Sequence, residues 1–264
     1  MSNDSWDPGQ YERFKAERAR PFWDLVSLVE SASIARAVDL GCGTGELTAA
    51  AAERLGVESM VGIDNSASML VRAGDWASDT VRFELGDIGE WSAPGDQDLV
   101  LANAALHWVP DHPTVLARWI AALRPGGQIA VQVPANADHP SHLASADVAT
   151  REPFASAFEG APPPDPVAAN VLPPERYAEL LHELGVTDPH VRLQVYPHVL
   201  GSTGDVVEWT KGTSLTRFFS VLPAELHEPF VDAYRTELLA RVGDRTPYLY
   251  TFKRILMWGR VTPA

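Results

Sequence analysis

The chain has one cysteine in 264 residues, Cys42, so no internal disulfide can brace it. Basic residues are also scarce: 21 Lys and Arg face 35 Asp and Glu, a formal net charge of -14. The broad basic face that nucleic-acid phosphates require is therefore not expected, and polyanionic partners are disfavoured. A small anion stays compatible, because the field inside a cleft follows nearby charges more than the total. No hydrophobic run approaches a membrane span, and Met1-Ser2-Asn3-Asp4-Ser5-Trp6 lacks the basic then apolar pattern of a secretory leader. A cytoplasmic protein with no membrane partner is expected. His139-Pro140-Ser141-His142 stands without acids or cysteines at ligand spacing, so no metal is expected either.

What is present is a 45% hydrophobic chain, able to bury one sizeable core or a core with an appendage. Its most informative stretch is Val38-Asp39-Leu40-Gly41-Cys42-Gly43-Thr44-Gly45, a buried strand entering a glycine turn that opens a helix. Such a turn holds a nucleoside cofactor. Glu46 begins the helix, where a pyrophosphate would need backbone N–H groups and no competing negative charge. S-adenosylmethionine carries no phosphate but an ammonium and a sulfonium, so Asp39 and Glu46 can flank it without repulsion. Met60-Val61-Gly62-Ile63-Asp64 ends in a carboxylate about 20 residues after the turn, the spacing at which an acid reaches ribose hydroxyls. Val81-Arg82-Phe83-Glu84-Leu85-Gly86-Asp87-Ile88 ends in an acid and an apolar residue, a pair suited to the amino group and face of an adenine. Asn65, after Asp64, and Asn103 complete the expected cofactor set with Asp39, Gly41, Gly43, Gly45, Asp64, Asp87 and Ile88. Cys42 is expected to be a small packing residue.

Helical and strand spacings alternate along most of the chain. A helix is predicted over 17–31 on Phe22, Leu25, Val26 and Val29, and further helices over 46–55, 69–76 and 113–123. Strands are predicted at 38–40, 60–64, 81–88, 98–103 and 127–133, with Arg124-Pro125-Gly126-Gly127 as a turn. Six prolines between Glu159 and Pro174 predict an extended connector. A helix at 175–184, a strand at 191–196, helices at 206–211 and 224–239, and a strand at 250–258 follow. The expected fold is α/β: a doubly wound, mostly parallel seven-stranded sheet with an N-terminal helix and an inserted helical cap. One domain is expected over 1–264, its cofactor core about 32–135 and its cap and substrate elements 1–24 and about 136–248.

The three cofactor segments resemble those of class I S-adenosylmethionine-dependent methyltransferases, which implies the Rossmann-like fold. After the fourth strand the chain lacks the Asn or Asp, paired prolines and aromatic that clamp a base amine, and it lacks a Pro-Cys pair for attack on cytosine, so base chemistry is disfavoured. Three further stretches are similar to trans-aconitate 2-methyltransferases. They are Trp6-Asp7-Pro8-Gly9-Gln10-Tyr11-Glu12-Arg13-Phe14 with Glu17-Arg18-Ala19-Arg20-Pro21; Ala102-Asn103-Ala104-Ala105-Leu106-His107-Trp108-Val109-Pro110-Asp111-His112; and Val207-Glu208-Trp209-Thr210-Lys211-Gly212-Thr213 with Phe252-Lys253-Arg254-Ile255.

This resemblance implies methyl esterification of a small anionic polycarboxylate by S-adenosylmethionine. Such an acid needs paired cations, and planar guanidinium groups match carboxylates bidentately. Arg20 and Arg254 are the leading substrate candidates, with Tyr11, His107, Trp108, Lys211, Tyr248 and Tyr250 behind them. A carboxylate is already ionised at neutral pH, so no catalytic acid or base is expected. A methyltransferase for another small metabolite, and a regulator that binds the cofactor without turnover, are the competing readings.

Overall fold

A computed structural model describes residues 15–31 and 34–262, with side chains from Ala19 onward. In chain order the elements are α1 (Lys15–Val26), β1 (Arg36–Leu40), α2 (Glu46–Leu55), β2 (Ser59–Asp64), α3 (Ala67–Ala73), β3 (Val81–Leu85), β4 (Gln97–Asn103), α4 (His112–Ala121) and β5 (Leu123–Pro134). Then come α5 (Pro140–Ala149), α6 (Phe154–Ala157), α7 (Pro166–Asn170), α8 (Pro174–Glu183), β6 (Val186–Leu200), α9 (Asp205–Lys211), α10 (Thr216–Phe219), α11 (His227–Val242) and β7 (Tyr248–Val261). Among the described residues no helix is long and apolar enough to cross a membrane.

The chain forms two compact units. The first comprises Ala19–Pro134, Asn170–Gln194 and the segment from Arg254; the second comprises Ala135–Ala169 and Val195–Lys253. The sheet has seven strands in the order β3-β2-β1-β4-β5-β7-β6. β1 to β5 pair in parallel, and β7 runs antiparallel to β5. The strand order reverses at β1, which pairs with β2 on one side and β4 on the other. In an open α/β sheet that reversal opens a crevice at the carboxyl ends of the strands.

On one face of the sheet, Phe22, Leu25 and Val26 of α1 and Ala51, Ala52 and Leu55 of α2 pack with Ala37, Met60, Leu99, Leu101, Ala130 and Leu256. Burying each Val, Leu, Phe or Met side chain of this layer removes water-exposed area worth about 1.5–3 kcal/mol. Side chains two residues apart share a face, so Asp39 after Ala37, Asn103 after Leu101 and Gln132 after Ala130 stand just beyond this apolar layer, at the carboxyl ends. The second unit has its own core, in which Ala144 and Val148 of α5 meet Phe154, Phe218, Phe230, Tyr234, Leu238, Tyr250 and Phe252.

Several local expectations are corrected. Arg124 to Gly127 belong to β5: Leu123 pairs with Gln97 and Gln128 with Leu99, so four residues on β5 lie opposite one on β4 and the strand bulges without ending. The proline-rich stretch is not wholly extended, since Pro166–Asn170 forms α7. Asp165 caps it through Val167 N at 2.9 Å, and Pro166 at the first position forfeits no intrahelical bond. β6 runs from Val186 to Leu200, far beyond 191–196, and carries Pro189 and Pro197. It lies at one end of the strand order, the place in a sheet where proline is found. β3 stops at Leu85, leaving Asp87 and Ile88 beyond it. α5, α6 and α10 were not foreseen.

Candidate functional site

The loop from β1 to α2 is shaped by positive-φ glycines with different reasons to be glycine. Gly41 has φ +83°, and a Cβ there would stand 2.2 Å from Ala105 Cβ. Gly43 has φ +56°, and a Cβ there would meet nothing within 4 Å. The first is demanded by packing, whereas the second leaves an open cradle above its backbone. Gly41 N and Cys42 N both donate to Ile63 O, at 2.7 and 3.1 Å, tying the loop to β2. Asp64, closing β2, accepts from Gly43 N at 2.8 Å with one carboxylate oxygen and from Ser66 N at 2.9 Å with the other. Gly45 is close to the Phe83 ring and also has positive φ, while Asn65 is exposed beside Asp64.

Asp39 is buried at the end of β1 and accepts a 2.6 Å hydrogen bond from the Thr48 hydroxyl on α2. Burial pushes its carboxyl up to about 7, with the nearby Asp64 charge adding to the rise and the Thr48 bond opposing it. A cation placed beside it would be strongly favoured. Burial, with Asp39 and Asp64 behind it, also pushes the Cys42 thiol up, which keeps it from acting as a thiolate nucleophile.

Asp87 is exposed beyond β3 and accepts from Gly89 N at 2.8 Å; Ile88 is half-buried, and its carbonyl accepts from Trp119 Nε1 at 3.0 Å. Asn103 and Gln132 are register partners at the ends of β4 and β5. Asn103 Oδ1 and Gln132 Oε1 are buried, and neither has a hydrogen-bond partner among the described residues. Ala104 then turns the chain at φ 54°, donating to Gln132 O at 2.9 Å. The following turn buries His107 and leaves Trp108 45% exposed, their ring centroids 4.8 Å apart.

Arg254 on β7 pairs in register with Pro134, two residues before Leu256, which faces Gln132. One face of the first unit thus carries an acid and two amides near neighbouring strand ends, Asp39, Asn103 and Gln132, and a guanidinium, Arg254, level with the end of β5. Arg20 is exposed on α1. Tyr11 lies outside the described residues. In the second unit, Lys211 Nζ pairs with Glu208 at 3.1 Å. Tyr250 is fully buried, with ring centroids 5.0 Å from His139 and 5.6 Å from Trp209. Tyr248 is buried nearby on the same strand, and burial raises its hydroxyl. His142, considered in sequence only as a metal ligand, instead bonds Asp165 at 2.7 Å.

Sequence reasoning missed Thr48 and Gln132. Gln132 had a signal: it is the lone amide in the apolar run Ile129-Ala130-Val131-Gln132-Val133. Thr48 had none, since a threonine in the first turns of a helix is ordinary.

A family model for a methyltransferase domain matches residues 37–127. Over 259 residues the chain is 44% identical to a trans-aconitate 2-methyltransferase of Deinococcus radiodurans, covering 96% of both. It is 38% identical to one from Variovorax paradoxus over 97% of this chain and 96% of that protein. Identity is 37% to one from Mycobacterium tuberculosis, over 98% of each. Among solved structures, the YcgJ protein of Bacillus subtilis aligns with TM-score 0.60 at 15% identity, over 92% of this chain and 98% of that one. Haemonchus contortus phosphoethanolamine N-methyltransferase 2, in complex with S-adenosyl-L-methionine, aligns with TM-score 0.51 at 17% identity, over 88% of this chain and 49% of that one. These structural likenesses show the shared Rossmann-like fold.

Proposed function

The chain belongs to the trans-aconitate 2-methyltransferase family, and from that premise we propose that it esterifies a carboxylate of trans-aconitate with the methyl group of S-adenosylmethionine. The observation that carries this reading is the span of the likeness. It covers 96% of the chain, whereas the methyltransferase-domain match ends at residue 127. An acceptor is recognised outside the cofactor segments, so likeness there bears on the acceptor.

The end of β1 suits this cofactor. The space above Gly43 admits a ligand against the backbone, and Asp39 and Asp64 attract an ammonium or sulfonium where they would repel a pyrophosphate. In our reading Asp64 and Asn65 take the ribose hydroxyls, Asp87 and Ile88 take the adenine, and Asn103 offers its buried oxygen to the ammonium. Bound there, S-adenosylmethionine supplies an electrophilic methyl: a carbon–oxygen bond forms, the carbon–sulfur bond breaks, and its electron pair stays on sulfur.

No proton moves, so the protein needs no general base. Its residues must hold an acceptor oxygen in line with the methyl at about 3–3.5 Å and keep water away. Arg254 and Arg20 hold the carboxylates that do not react, because a guanidinium clamped on the attacking oxygen would weaken it as a nucleophile. His107 and Trp108, on the turn after β4, border the same strand ends and act with them. The proposed setting is the cytoplasm.

Mass spectrometry of trans-aconitate incubated with the protein and S-adenosylmethionine, beside cis-aconitate, isocitrate and citrate, tests this directly. A monomethyl ester of trans-aconitate is the expected product. No ester from any of the four, with the cofactor still bound, would move the function to another acceptor.

A further inference from the structure

β5 carries two buried glutamines on the same face, Gln128 and Gln132, and they are held differently. Gln128 is fully engaged: its Oε1 accepts from Glu30 N at 2.9 Å and from Trp258 Nε1 at 3.0 Å, while its Nε2 donates to Glu30 O at 2.8 Å. A structural glutamine is held in a core strand in this way. Gln132 is 1% exposed between the buried Val131 and Val133, yet its Oε1 has no hydrogen-bond partner among the described residues. An unpaired amide in an apolar strand costs stability that a methionine of the same length would not. Packing gives no reason for an amide here.

The deficit is shared by its register partner. Asn103, at the end of β4, stands one strand spacing away, about 4.8 Å at the backbone, and its Oδ1 is also buried without a partner among the described residues. Two neighbouring acceptors call for a ligand group with at least two donors. An ionised polycarboxylate offers acceptors only, so it satisfies neither oxygen. The cofactor ammonium has three N–H donors, and Asp39, on the same face of the adjoining β1, attracts its charge. In the reading above the ribose and adenine lie toward β2 and β3, on the far side of β1, which leaves the ammonium as the donor for β4 and β5. Both oxygens are closed to water, but the terminal torsions of Asn and Gln are broad, so a small turn of each amide presents its oxygen to a donor.

We propose that Gln132 is a cofactor-binding residue: with Asn103 it forms a paired-amide seat at the ends of β4 and β5 for the ammonium of S-adenosylmethionine, each oxygen accepting one N–H. This role rests on the placing of the cofactor at the end of β1 given above, and it is independent of which acid is methylated. The seat anchors the amino-acid arm of the cofactor, and with it the sulfonium that bears the methyl.

Two ligands that share a nucleoside separate the seat from the rest of the cofactor site. S-adenosylhomocysteine keeps the ammonium, whereas methylthioadenosine is the same nucleoside thioether without the amino-acid arm. Gln132→Met keeps the length of the side chain and removes its strong acceptor. In calorimetric titrations it should weaken S-adenosylhomocysteine about 10-fold to 100-fold and leave the dissociation constant of methylthioadenosine within about twofold. Equal losses for both ligands overturn the seat. So does unaltered affinity for S-adenosylhomocysteine, and a raised KM for trans-aconitate beside it would assign Gln132 to the acceptor. Should the variant fail to fold, the wild type decides: the side-chain amide resonance of Gln132 should shift with S-adenosylhomocysteine and stay in place with methylthioadenosine. Equal shifts, or none, overturn the role. Asp64→Ala should weaken both ligands alike where the nucleoside lies at the end of β2, so a misplaced cofactor and a mistaken role for Gln132 give different results.

Discussion

The Tyr177 hydroxyl lies 2.6 Å from Nδ1 of His112, whose other ring nitrogen lies 3.0 Å from the Leu106 carbonyl oxygen. A carbonyl only accepts, so Nε2 carries the imidazole proton and Tyr177 donates to Nδ1. The Tyr177 oxygen accepts in turn from Leu172 N at 3.2 Å. Within the first unit this chain of bonds fastens the turn that bears His107 and Trp108 to the segment that enters α8. Burial holds the His112 imidazole below its ordinary range, which keeps it neutral and the relay intact.

Tyr177→Phe leaves His112 Nδ1 and Leu172 N without partners in a buried site. It should cost roughly 1–3 kcal/mol of stability in urea unfolding. A change within experimental error would mean that the relay carries no net energy.

Asp39 makes stability depend on pH with a definite sign. Its carboxyl rises from 3.8 to about 7 on folding, so between those values the folded protein binds the proton more tightly than the unfolded chain. The contribution of Asp39 therefore falls as pH rises through that window and is flat above it. Asp39→Asn should stabilise the cofactor-free protein by up to roughly 4 kcal/mol at pH 8 and change it little at pH 4. A cofactor ammonium beside Asp39 favours the ionised form, so binding at pH 6.5 should release protons, seen by calorimetry in buffers of different ionisation enthalpy. Binding without proton release would separate the cofactor from Asp39.

The two glycines should fail differently. Gly41→Ala adds a steric collision to left-handed strain, costing about 1–2 kcal/mol for the conformation and about 1–3 kcal/mol for overpacking. Gly43→Ala bears only the strain, yet its methyl would fill the cradle. Thermal melts should show Gly41→Ala as the less stable protein, and cofactor titration should show Gly43→Ala binding about tenfold or more weakly despite a folded core. Full cofactor affinity in Gly43→Ala would move the ligand off the turn.

Arg254→Ala should raise KM for trans-aconitate about 10-fold to 100-fold, the loss of a charge-assisted hydrogen bond of about 1.5–3 kcal/mol, with kcat changed far less. Arg20→Ala should act in the same direction. Steady-state kinetics with unaltered KM in both variants would remove these residues from the anion site.

The first unit was legible because its information is local. Val38-Asp39-Leu40 and Leu99-Val100-Leu101-Ala102 are continuous apolar runs or nearly so, as strands covered on both faces must be, and the glycine turn announces where β1 meets α2. The second unit was legible only in outline. Its short helices α6 and α10 hold too few residues for a helical period, and aromatic residues dominate its core whatever element they sit on.

The sequence by itself determined the strand and helix alternation, the glycine turn with its flanking acids, and through its motifs the family of reaction. These are properties of neighbours along the chain, set by backbone conformation and period. Only the tertiary structure decided which polar groups meet. It set Gln132 beside Asn103 through strand register, raised Asp39 through burial beneath Thr48, and brought His142 and Asp165 to Arg217 from separate elements. Register, burial and pairing of distant charges depend on how elements pack, and a spacing along one chain does not encode them directly.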